Sequence, residues 1–334
     1  MRFVGTLLQA LAAAVAVLFT VDLGVRAWFP SLPRFDDNFS AAYLRRSLVP
    51  ANIDGRIVFA GDSALWGYKL SPQDAAVTRL RAGGMPVVNL SYEGGSTPNT
   101  YALLKLMFAA GAKPRAVVFN VNSKEFNEAD SAYRTLYPAV EQLAWPLLSA
   151  GDRALLHPTQ PDTIDARIDR FLGRYWTLYG MRVDVREQLF GAVDAATALQ
   201  TFQHQLSGET QREADAHRPT PDRFLGTYDL SPLDESNVGV VFLKRTLALL
   251  RAQHVAGYAI LTPTNHALLH DYIDVPEYRH NLDFLAKIAT RGGARVLDYD
   301  RAFATSDFID NDHLTAAGNV KLAAMLRRDL RTDP

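Results

Sequence analysis

The sequence "RIVFAGDSALWG" at residues 56–67 decides the fold and raises the first functional question. Its apolar start is typical of a short buried strand, and the run stops abruptly at Gly61, Asp62 and Ser63. These small residues favour a turn. A strand that ends in this way presents a serine hydroxyl at the edge of a sheet.

Strand and helix patterns alternate along much of the remaining chain. Apolar, β-branched strands that are joined by helices are typical of a parallel sheet covered on both faces, so we expect an α/β fold. The expected strands are residues 56–60, 85–91, 114–121, 257–262 and 294–299, and the expected helices are residues 73–82, 97–110, 238–253, 278–290 and from 315 onward.

The composition is that of an ordinary globular protein. The chain has 334 residues, 48% of them hydrophobic and 21% charged, which is enough to bury a substantial core. A formal net charge of -1 gives no basic face for nucleic acid, which we do not expect as a partner. The lack of cysteine excludes disulfides, thiolate nucleophiles and cysteine-ligated metals.

The N-terminal sequence indicates a membrane segment. Residues 3–21 carry no charge and, as a helix, are long enough to cross most of a bilayer. We expect residues 1–28 to be an uncleaved signal anchor, with a cleaved signal peptide as the alternative. The expected location is the inner membrane, with a single span and the bulk of the chain in the periplasm.

Three further regions follow the expected anchor. Residues 29–54 are interpreted as a linker and residues 55–334 as the α/β domain, with a helical insertion at about 124–236. The insertion is rich in aromatic residues, for which core packing is the preferred interpretation and a substrate groove or the bilayer surface the alternative. They include Trp145, Trp176 and Tyr179.

Ser63 has the position expected of a nucleophile. Ligands of open parallel sheets bind beyond the carboxyl ends of the strands, but a serine hydroxyl needs a base, and the base needs a group that orients it. The sequence "FIDNDHLTAAGN" at residues 308–319 supplies His313 with Asp310 three residues before it. Asp312 is a substitute orienter, although an immediate neighbour usually points away from the ring. The alternative is a helix-capping turn at Asp62 and Ser63 with a structural histidine.

These motifs resemble those of the SGNH (GDSL-like) hydrolase superfamily. Gly61-Asp62-Ser63 matches its nucleophile block, and Asp310-x-x-His313 matches its last block. The resemblance covers residues 56–122 and 238–330. It implies a flavodoxin-like three-layer α/β/α fold and the roles of a catalytic triad for Ser63, His313 and Asp310.

The resemblance also implies an oxyanion hole. The superfamily uses the nucleophile's own amide, here that of Ser63, a glycine amide after the second strand and an asparagine after the third. The candidates for the glycine are Gly94 and Gly95, and those for the asparagine are Asn122 and, less favoured, Asn120. The usual Gly-x-Asn-Asp form is absent, so a turn-forming role for Asn122 is the alternative.

The expected anchor narrows the resemblance to membrane-bound acyl-transfer proteins. "AILTPTNHALLHDYI" at residues 259–273 is similar to a Pro-x-Asn stretch of D-alanine transfer proteins of lipoteichoic acid synthesis (DltD). Such proteins act with a membrane-bound O-acyltransferase, and alginate and cellulose acetylation systems are arranged similarly. The implied partners are such an acyltransferase and a cell-envelope glycan or teichoic-acid-like polymer.

The function expected from these features is transfer of a small acyl group, acetyl or D-alanyl, to an envelope glycan through an acyl-Ser63 intermediate. The alternatives are an SGNH esterase or deacetylase, and an inactive SGNH binding module of a membrane complex. No cofactor and no metal are expected. His266 and His270 have the i, i+4 spacing of metal ligands, but Ala267 replaces the glutamate of zinc proteases, so a solvated helix face is favoured.

Overall fold

The computed structural model describes residues 2–28, 34–35, 39–159, 163–176, 179, 224 and 226–331 of the chain. The strands are β1 (Ile57–Ala60), β2 (Val87–Asn89), β3 (Ala116–Val121), β4 (Ala256–Leu261) and β5 (Ala294–Asp298). The helices are α1 (Arg2–Trp28), α2 (Ala41–Ser47), α3 (Pro50–Ile53), α4 (Ser63–Trp66), α5 (Ala76–Ala82), α6 (Thr97–Ala109), α7 (Pro138–Ala144), α8 (Ala150–Arg153), α9 (Ile164–Tyr175), α10 (Val238–Ala252), α11 (His266–Ile273), α12 (Pro276–Arg291) and α13 (Ala316–Arg331). Short 3₁₀ helices lie at Pro72–Asp74, Ser123–Phe126, Ser131–Arg134, Trp145–Leu147 and Thr305–Asp307.

The chain divides into two compact units. The smaller unit holds α1, α2 and α9, and α2 packs against α9. Within the described part of the chain, no helix combines the length and the apolarity that crossing a membrane requires, so the transmembrane helix expected at residues 1–28 is not found. The larger unit holds the five strands and the residues of the candidate site.

The sheet has the strand order β2-β1-β3-β4-β5, and all neighbouring strands run parallel. The order 2-1-3-4-5 is that of flavodoxin-like doubly wound sheets. In the register, Ile57 pairs with Val87 on one side and with Ala116 on the other. All five expected strands are present, which confirms the parallel α/β sheet.

The buried strands separate two sets of helices. Ile57, Phe59 and Val118 belong to a hydrophobic core with residues of α5 and α13, such as Leu80 and Leu326. Successive side chains of a strand point to opposite faces, so the intervening strand residues face the other way. On that second face, α6, α10 and α12 contact the strands. The near-continuous apolar strands follow from this burial on both faces.

Two regions differ from or extend the sequence interpretation. The stretch expected to be a linker holds α2 and α3, and Leu48 and Ile53 are buried there. The described part of the expected insertion contains short helices, whereas residues 160–162, 177–178, 180–223 and 225 of it lie outside the described part of the chain. Of its aromatic residues, Trp145, Trp176 and Tyr179 are half-buried, and the last two stack with ring centroids 5.9 Å apart.

Candidate active site

The candidate site lies at the carboxyl ends of the strands. Ser63 comes three residues after the end of β1, and Asn122 follows β3 directly. These two strands are neighbours at the point where the strand order reverses, which is where doubly wound sheets bind ligands. The loop after β5 brings Asp310 and His313 to the same edge of the sheet.

Local packing holds Ser63 at the start of α4. Asp62 is the N-cap of this helix, and its Oδ1 accepts a hydrogen bond from the amide of Ala64 at 2.9 Å. Gly61 has no room for a side chain, because a Cβ atom would lie 1.9 Å from Oδ1 of Asn120. That same oxygen accepts a 3.0 Å hydrogen bond from the Asp62 amide. The Gly-Asp-Ser sequence therefore serves close backbone packing as well as the turn.

Ser63, His313 and Asp310 form a continuous chain of hydrogen bonds. Nδ1 of His313 lies 2.9 Å from both carboxylate oxygens of Asp310, and a nitrogen held between two acceptors carries the proton. Nε2 is then the acceptor of the neutral ring, and the Ser63 hydroxyl donates to it at 2.8 Å. The structure thus brings together the three residues that the sequence motifs singled out.

Electrostatics favour the protonated form of His313 more than usual. Burial alone lowers the pKa of His313, but the charge of Asp312 and the hydrogen bond to Asp310 outweigh it and raise the pKa above its ordinary value. Burial raises the pKa of Asp310, whereas the hydrogen bond and charge of His313 lower it, and the net direction is downward. Asp310 is therefore ionised when His313 gains a proton.

Asp312 lies closer to the imidazole than its place in the sequence suggested. Its Oδ1 is 3.4 Å from Nδ1 of His313 and makes no hydrogen bond within the described part of the chain. Its Oδ2 forms an ion pair with Nζ of Lys124 at 2.5 Å and accepts a 2.7 Å hydrogen bond from Nδ2 of Asn122. Burial raises the pKa of Asp312, but Lys124 and His313 reverse this and lower it to about 2. Asp310 is the closer partner of the ring, and Asp312 is a second, fully buried carboxylate beside it.

The oxyanion candidates differ in whether their hydrogen-bond donors are engaged. Both hydrogens of the Asn122 amide point to carboxylates, those of Asp62 at 2.9 Å and Asp312 at 2.7 Å. The amide of Gly95 donates to the carbonyl of Tyr92 at 3.2 Å. The amides of Ser63 and Gly94 have no acceptor among the residues that the structure describes.

The loop that carries the two glycines packs against the nucleophile turn. The Tyr92 amide donates to the carbonyl of Gly61 at 3.3 Å. A Cβ atom on Gly95 would lie 2.3 Å from that same carbonyl oxygen, so only glycine fits there. Gly94 has a φ of 71°, a conformation that favours glycine. Gly95 therefore serves close packing. Asn120, the other asparagine candidate, donates from Nδ2 to Oγ1 of Thr262 at 3.3 Å.

One cluster of the described residues has the composition of a metal site. Asp310, Asp312 and His313 can each offer one atom within 4.8 Å of the others. However, Asp312 is paired with the Lys124 ammonium, and Nδ1 of His313 is hydrogen-bonded to Asp310. Apart from Oδ1 of Asp312, these ligand atoms are therefore engaged within the protein, which fits an oriented histidine better than a bound cation.

Sequence reasoning missed three contributors to the site. The ring of Tyr68 lies 4.4 Å from the imidazole of His313, centroid to centroid. Arg34 donates to the carbonyls of Trp66 and Gly67, both at 2.8 Å, and so holds the turn that carries Tyr68. Lys124 approaches Asp312 from the loop after β3. Arg34 lies in the expected linker and belongs to no recognisable motif. Lys124 is a single charged residue shortly after the expected strand, which by itself does not indicate a role in the site.

The loop after β4 supports the loop of the triad. Nδ2 of Asn265 donates to the carbonyl of Asp310 at 3.0 Å, and the Asn265 amide donates to the carbonyl of Asn311 at 2.8 Å. His266 follows, with Nδ1 2.7 Å from Asp274 and Nε2 2.9 Å from the buried Asp300. The interpretation of His266 as part of a solvated helix face is wrong, because both ring nitrogens are held by carboxylates.

Comparison with known proteins gives neighbours in structure only. No family model matches the chain and no curated protein matches it, so the expected similarity to DltD is not shown. The chain is similar to solved structures of G-D-S-L lipolytic proteins. One is a member of the lipolytic G-D-S-L family from Veillonella parvula, at 9% identity and a TM-score of 0.40, covering 83% of this chain and 98% of that one.

Two further solved structures match the chain to a similar extent. TesA is 12% identical with a TM-score of 0.40, and the match covers 82% of this chain and 97% of TesA. The lipase/acylhydrolase from Enterococcus faecalis is 10% identical with a TM-score of 0.40, and the match covers 83% of this chain and 95% of that one. At such identities, the roles of the site residues have to be judged from their own geometry.

Proposed function

We propose that the protein is a serine enzyme of the SGNH class that cleaves an ester by transferring its acyl group to Ser63. The observation that supports this most is the hydrogen-bonded chain from Ser63 through His313 to Asp310. A hydroxyl 2.8 Å from the imidazole of a carboxylate-oriented histidine is the arrangement that serine nucleophiles need. A purely structural histidine does not need a serine hydroxyl on its second ring nitrogen at the carboxyl ends of the strands.

The reaction follows from the positions of the protons. His313 takes the Ser63 proton on Nε2 as Oγ attacks the carbonyl carbon, and Asp310 stabilises the imidazolium that forms. The backbone amides of Ser63 and Gly94 donate hydrogen bonds to the oxyanion of the tetrahedral intermediate. His313 then passes its proton to the leaving alkoxide, the carbon–oxygen bond to it breaks, and acyl-Ser63 remains.

The second half of the reaction repeats these roles. His313 removes a proton from water or from an acceptor hydroxyl, which attacks the acyl carbonyl. The Ser63 oxygen leaves and regains its proton from His313. Water yields a carboxylic acid, and an acceptor hydroxyl yields a new ester.

A burst experiment tests the acyl-enzyme. The full-length protein is mixed with p-nitrophenyl acetate, and we expect a rapid release of nitrophenolate close to one equivalent per protein, followed by slower turnover. Ser63→Ala should show neither phase, whereas Ser71→Ala, which changes an exposed serine of the following loop, should retain both. Equal release by Ser63→Ala would contradict the proposal.

We further propose that the natural acceptor is a hydroxyl of a cell-envelope glycan, which makes the enzyme an acyltransferase for acetyl or D-alanyl groups. The support is the uncharged sequence of residues 3–21, which would confine the protein near lipid-linked polymers and a membrane-bound O-acyltransferase that supplies the acyl group. On this proposal the catalytic unit lies in the periplasm, held at the inner membrane by its N-terminus.

The acceptor proposal has its own tests. In the acetyl ester assay, added oligosaccharide should divert acetyl groups from acetate to acetylated sugar, as measured by mass spectrometry. Release of acetate alone at every sugar concentration would make the protein an esterase. Deletion of the gene should remove ester-linked acyl groups from an envelope polymer, and a rise in acylation would indicate a deacylase. Recovery of the full-length protein in the soluble fraction would contradict the anchor.

A further inference from the structure

The Asn122 side chain connects the nucleophile turn to the loop of the base. Its two amide hydrogens are donated to Oδ2 of Asp62 and to Oδ2 of Asp312. Asp62 directly precedes Ser63, and Asp312 directly precedes His313. Oδ1 of Asn122 accepts from the Lys124 amide at 3.5 Å. One side chain, itself 1% exposed, thus joins the segments on which the two ends of the Ser63–His313 hydrogen bond depend.

Lys124 compensates the charge of this connection. Its ammonium lies 2.5 Å from Asp312, which has no exposed surface of its own. A buried carboxylate without a cation is costly, since burial penalises the charged form. Lys124, His313 and the hydrogen bond from Asn122 together keep Asp312 ionised, and its second oxygen lies 3.4 Å from Nδ1 of His313. The carboxylate is then held beside the imidazole without competing with Asp310 for the shorter contact.

We propose that Asn122 and Lys124 are positioning residues, which hold the buried Asp312 carboxylate beside His313 and tie it to Asp62 next to Ser63. This inference rests on the proposed function for the role of His313 as the base. It assigns Asn122 a task other than the oxyanion contact implied by the family resemblance, because both of its donors are already engaged.

The proposal predicts opposite electrostatic effects at His313. Asp312 favours the imidazolium, and Lys124 disfavours it. Removal of the cation should therefore raise the pKa of His313, and removal of the carboxylate charge should lower it. The other titratable groups around His313, Asp312 and Lys124 are not substituted in these variants: Asp310 on the same loop, Asp62 before α4, Tyr68 against the ring, Glu125 beside Lys124, Tyr133 and Tyr228.

The test is an NMR titration of the His313 imidazole in the full-length protein. We expect Lys124→Met to raise the midpoint and Asp312→Asn to lower it, each by about half a unit or more. Lys124→Arg keeps the cation and should stay close to wild type. Shifts of Lys124→Met and Asp312→Asn in the same direction, or no shift in either, would overturn the proposal.

Asn122→Ala separates positioning from oxyanion stabilisation. The variant removes a donor from Asp312 and should raise the His313 midpoint by less than Lys124→Met does. The pH midpoint of p-nitrophenyl acetate hydrolysis should move with it. A fall of about 10²–10³-fold at every pH with an unchanged midpoint is the result of losing an oxyanion donor, and it would overturn the assignment of Asn122.

The two levels of inference can fail independently. The NMR titration needs no substrate, so it reports on the Asp312–Lys124 arrangement even in a protein without esterase activity. Shifts of the expected signs in a protein that shows no burst would leave the positioning arrangement standing and refute the proposed function. If Lys124→Met does not fold, two predictions for the His313 midpoint can still be tested: Asp312→Asn should lower it, and Lys124→Arg should leave it close to wild type.

Discussion

His313 and His266 are both held by aspartates, and of the two only His313 has a ring nitrogen that faces a hydroxyl instead of a carboxylate. His313 has carboxylate oxygens of Asp310 on Nδ1 and the Ser63 hydroxyl on Nε2. His266 has a carboxylate on each nitrogen, Asp274 on Nδ1 and Asp300 on Nε2. A ring between two carboxylates is stabilised as a cation and has no lone pair for a substrate, whereas a ring between a carboxylate and a hydroxyl can exchange a proton.

The comparison shows that the second partner of a histidine decides its task. Burial lowers the pKa of His266, but hydrogen bonding to Asp300 and Asp274 raises it above the ordinary value, as happens at His313. The direction of the pKa shift is therefore the same in both rings. What differs is the group on Nε2, and this difference is the basis for proposing a chemical role for His313 and a supporting role for His266.

The largest expected effect separates the two histidines by activity. His313→Ala should reduce the hydrolysis of p-nitrophenyl acetate by about 10³-fold or more, because the general base is lost. His266→Leu should reduce it less than about tenfold, since only the supporting loop is affected. Steady-state rates of both variants check this, and a larger loss in His266→Leu than in His313→Ala would break the comparison.

A second prediction concerns the carboxylates of His313. Asp310→Asn should lower kcat by about 10²–10⁴-fold, because the amide no longer fixes the proton on Nδ1. The reduction in kcat should lie nearer to 10²-fold, the smaller end of this range, if Asp312, which lies 3.4 Å from Nδ1, takes over part of the orienting role. A double variant with Asp312→Asn measures that share. If Asp310→Asn kept wild-type kcat, Asp310 would not be the orienter.

A third prediction concerns folding stability at His266. His266→Leu leaves the buried Asp300 without its ring partner and should lower the free energy of unfolding by about 1–3 kcal/mol. His270→Leu, an exposed position on the same helix, is the matched control and should change it by less than about 0.5 kcal/mol. Equal losses in the two variants by urea denaturation would mean that the carboxylate contacts of His266 add no stability.

The same variant carries a pH dependence with a defined sign. The folded-state pKa of His266 is raised, so its stabilising contribution is fully present below the unfolded value of 6.5 and is lost as pH rises through the folded pKa. The stability difference between wild type and His266→Leu should therefore be largest at acid pH and shrink toward alkaline pH. A difference that grew with pH would contradict the ion-pair account.

The smallest expected effect is a shift in the pH profile of activity. His313 must be neutral to accept the Ser63 proton, so kcat/KM should rise with pH through a midpoint above 6.5. His266→Leu should leave that midpoint within about 0.3 unit of wild type, since His266 is not the titrating base. A midpoint that followed His266 instead would reverse the assignment of the two rings.

The sequence was sufficient to predict the sheet and the proximity of Ser63, His313 and Asp310. Apolar runs marked all five strands, and their order along the chain placed Ser63 after the first strand and His313 on the loop after the last, at the edge where parallel sheets gather their sites. The spacing of Asp310 and His313 was readable because both lie on one loop. These features depend on local patterns.

The remaining parts of the site depend on contacts between distant segments. The ion pair of Lys124 with Asp312 joins the loops after β3 and β5, and the hydrogen bonds of Arg34 reach the turn after α4 from the expected linker. Neither the ion pair nor the Arg34 hydrogen bonds produce a periodic pattern or a characteristic spacing in the sequence. The carboxylate partners of His266 are also distant in sequence, since Asp274 lies 8 and Asp300 lies 34 residues away, and only the fold brings them to the ring.

The most direct test of the account is covalent labelling of the full-length protein with a fluorophosphonate, read by intact mass and peptide mapping. We expect one adduct per protein on Ser63, no adduct in Ser63→Ala, strongly slowed labelling in His313→Ala and near-normal labelling in His266→Leu. An adduct on another residue, or equal labelling of wild type and Ser63→Ala, would contradict the assignment of Ser63 as the nucleophile.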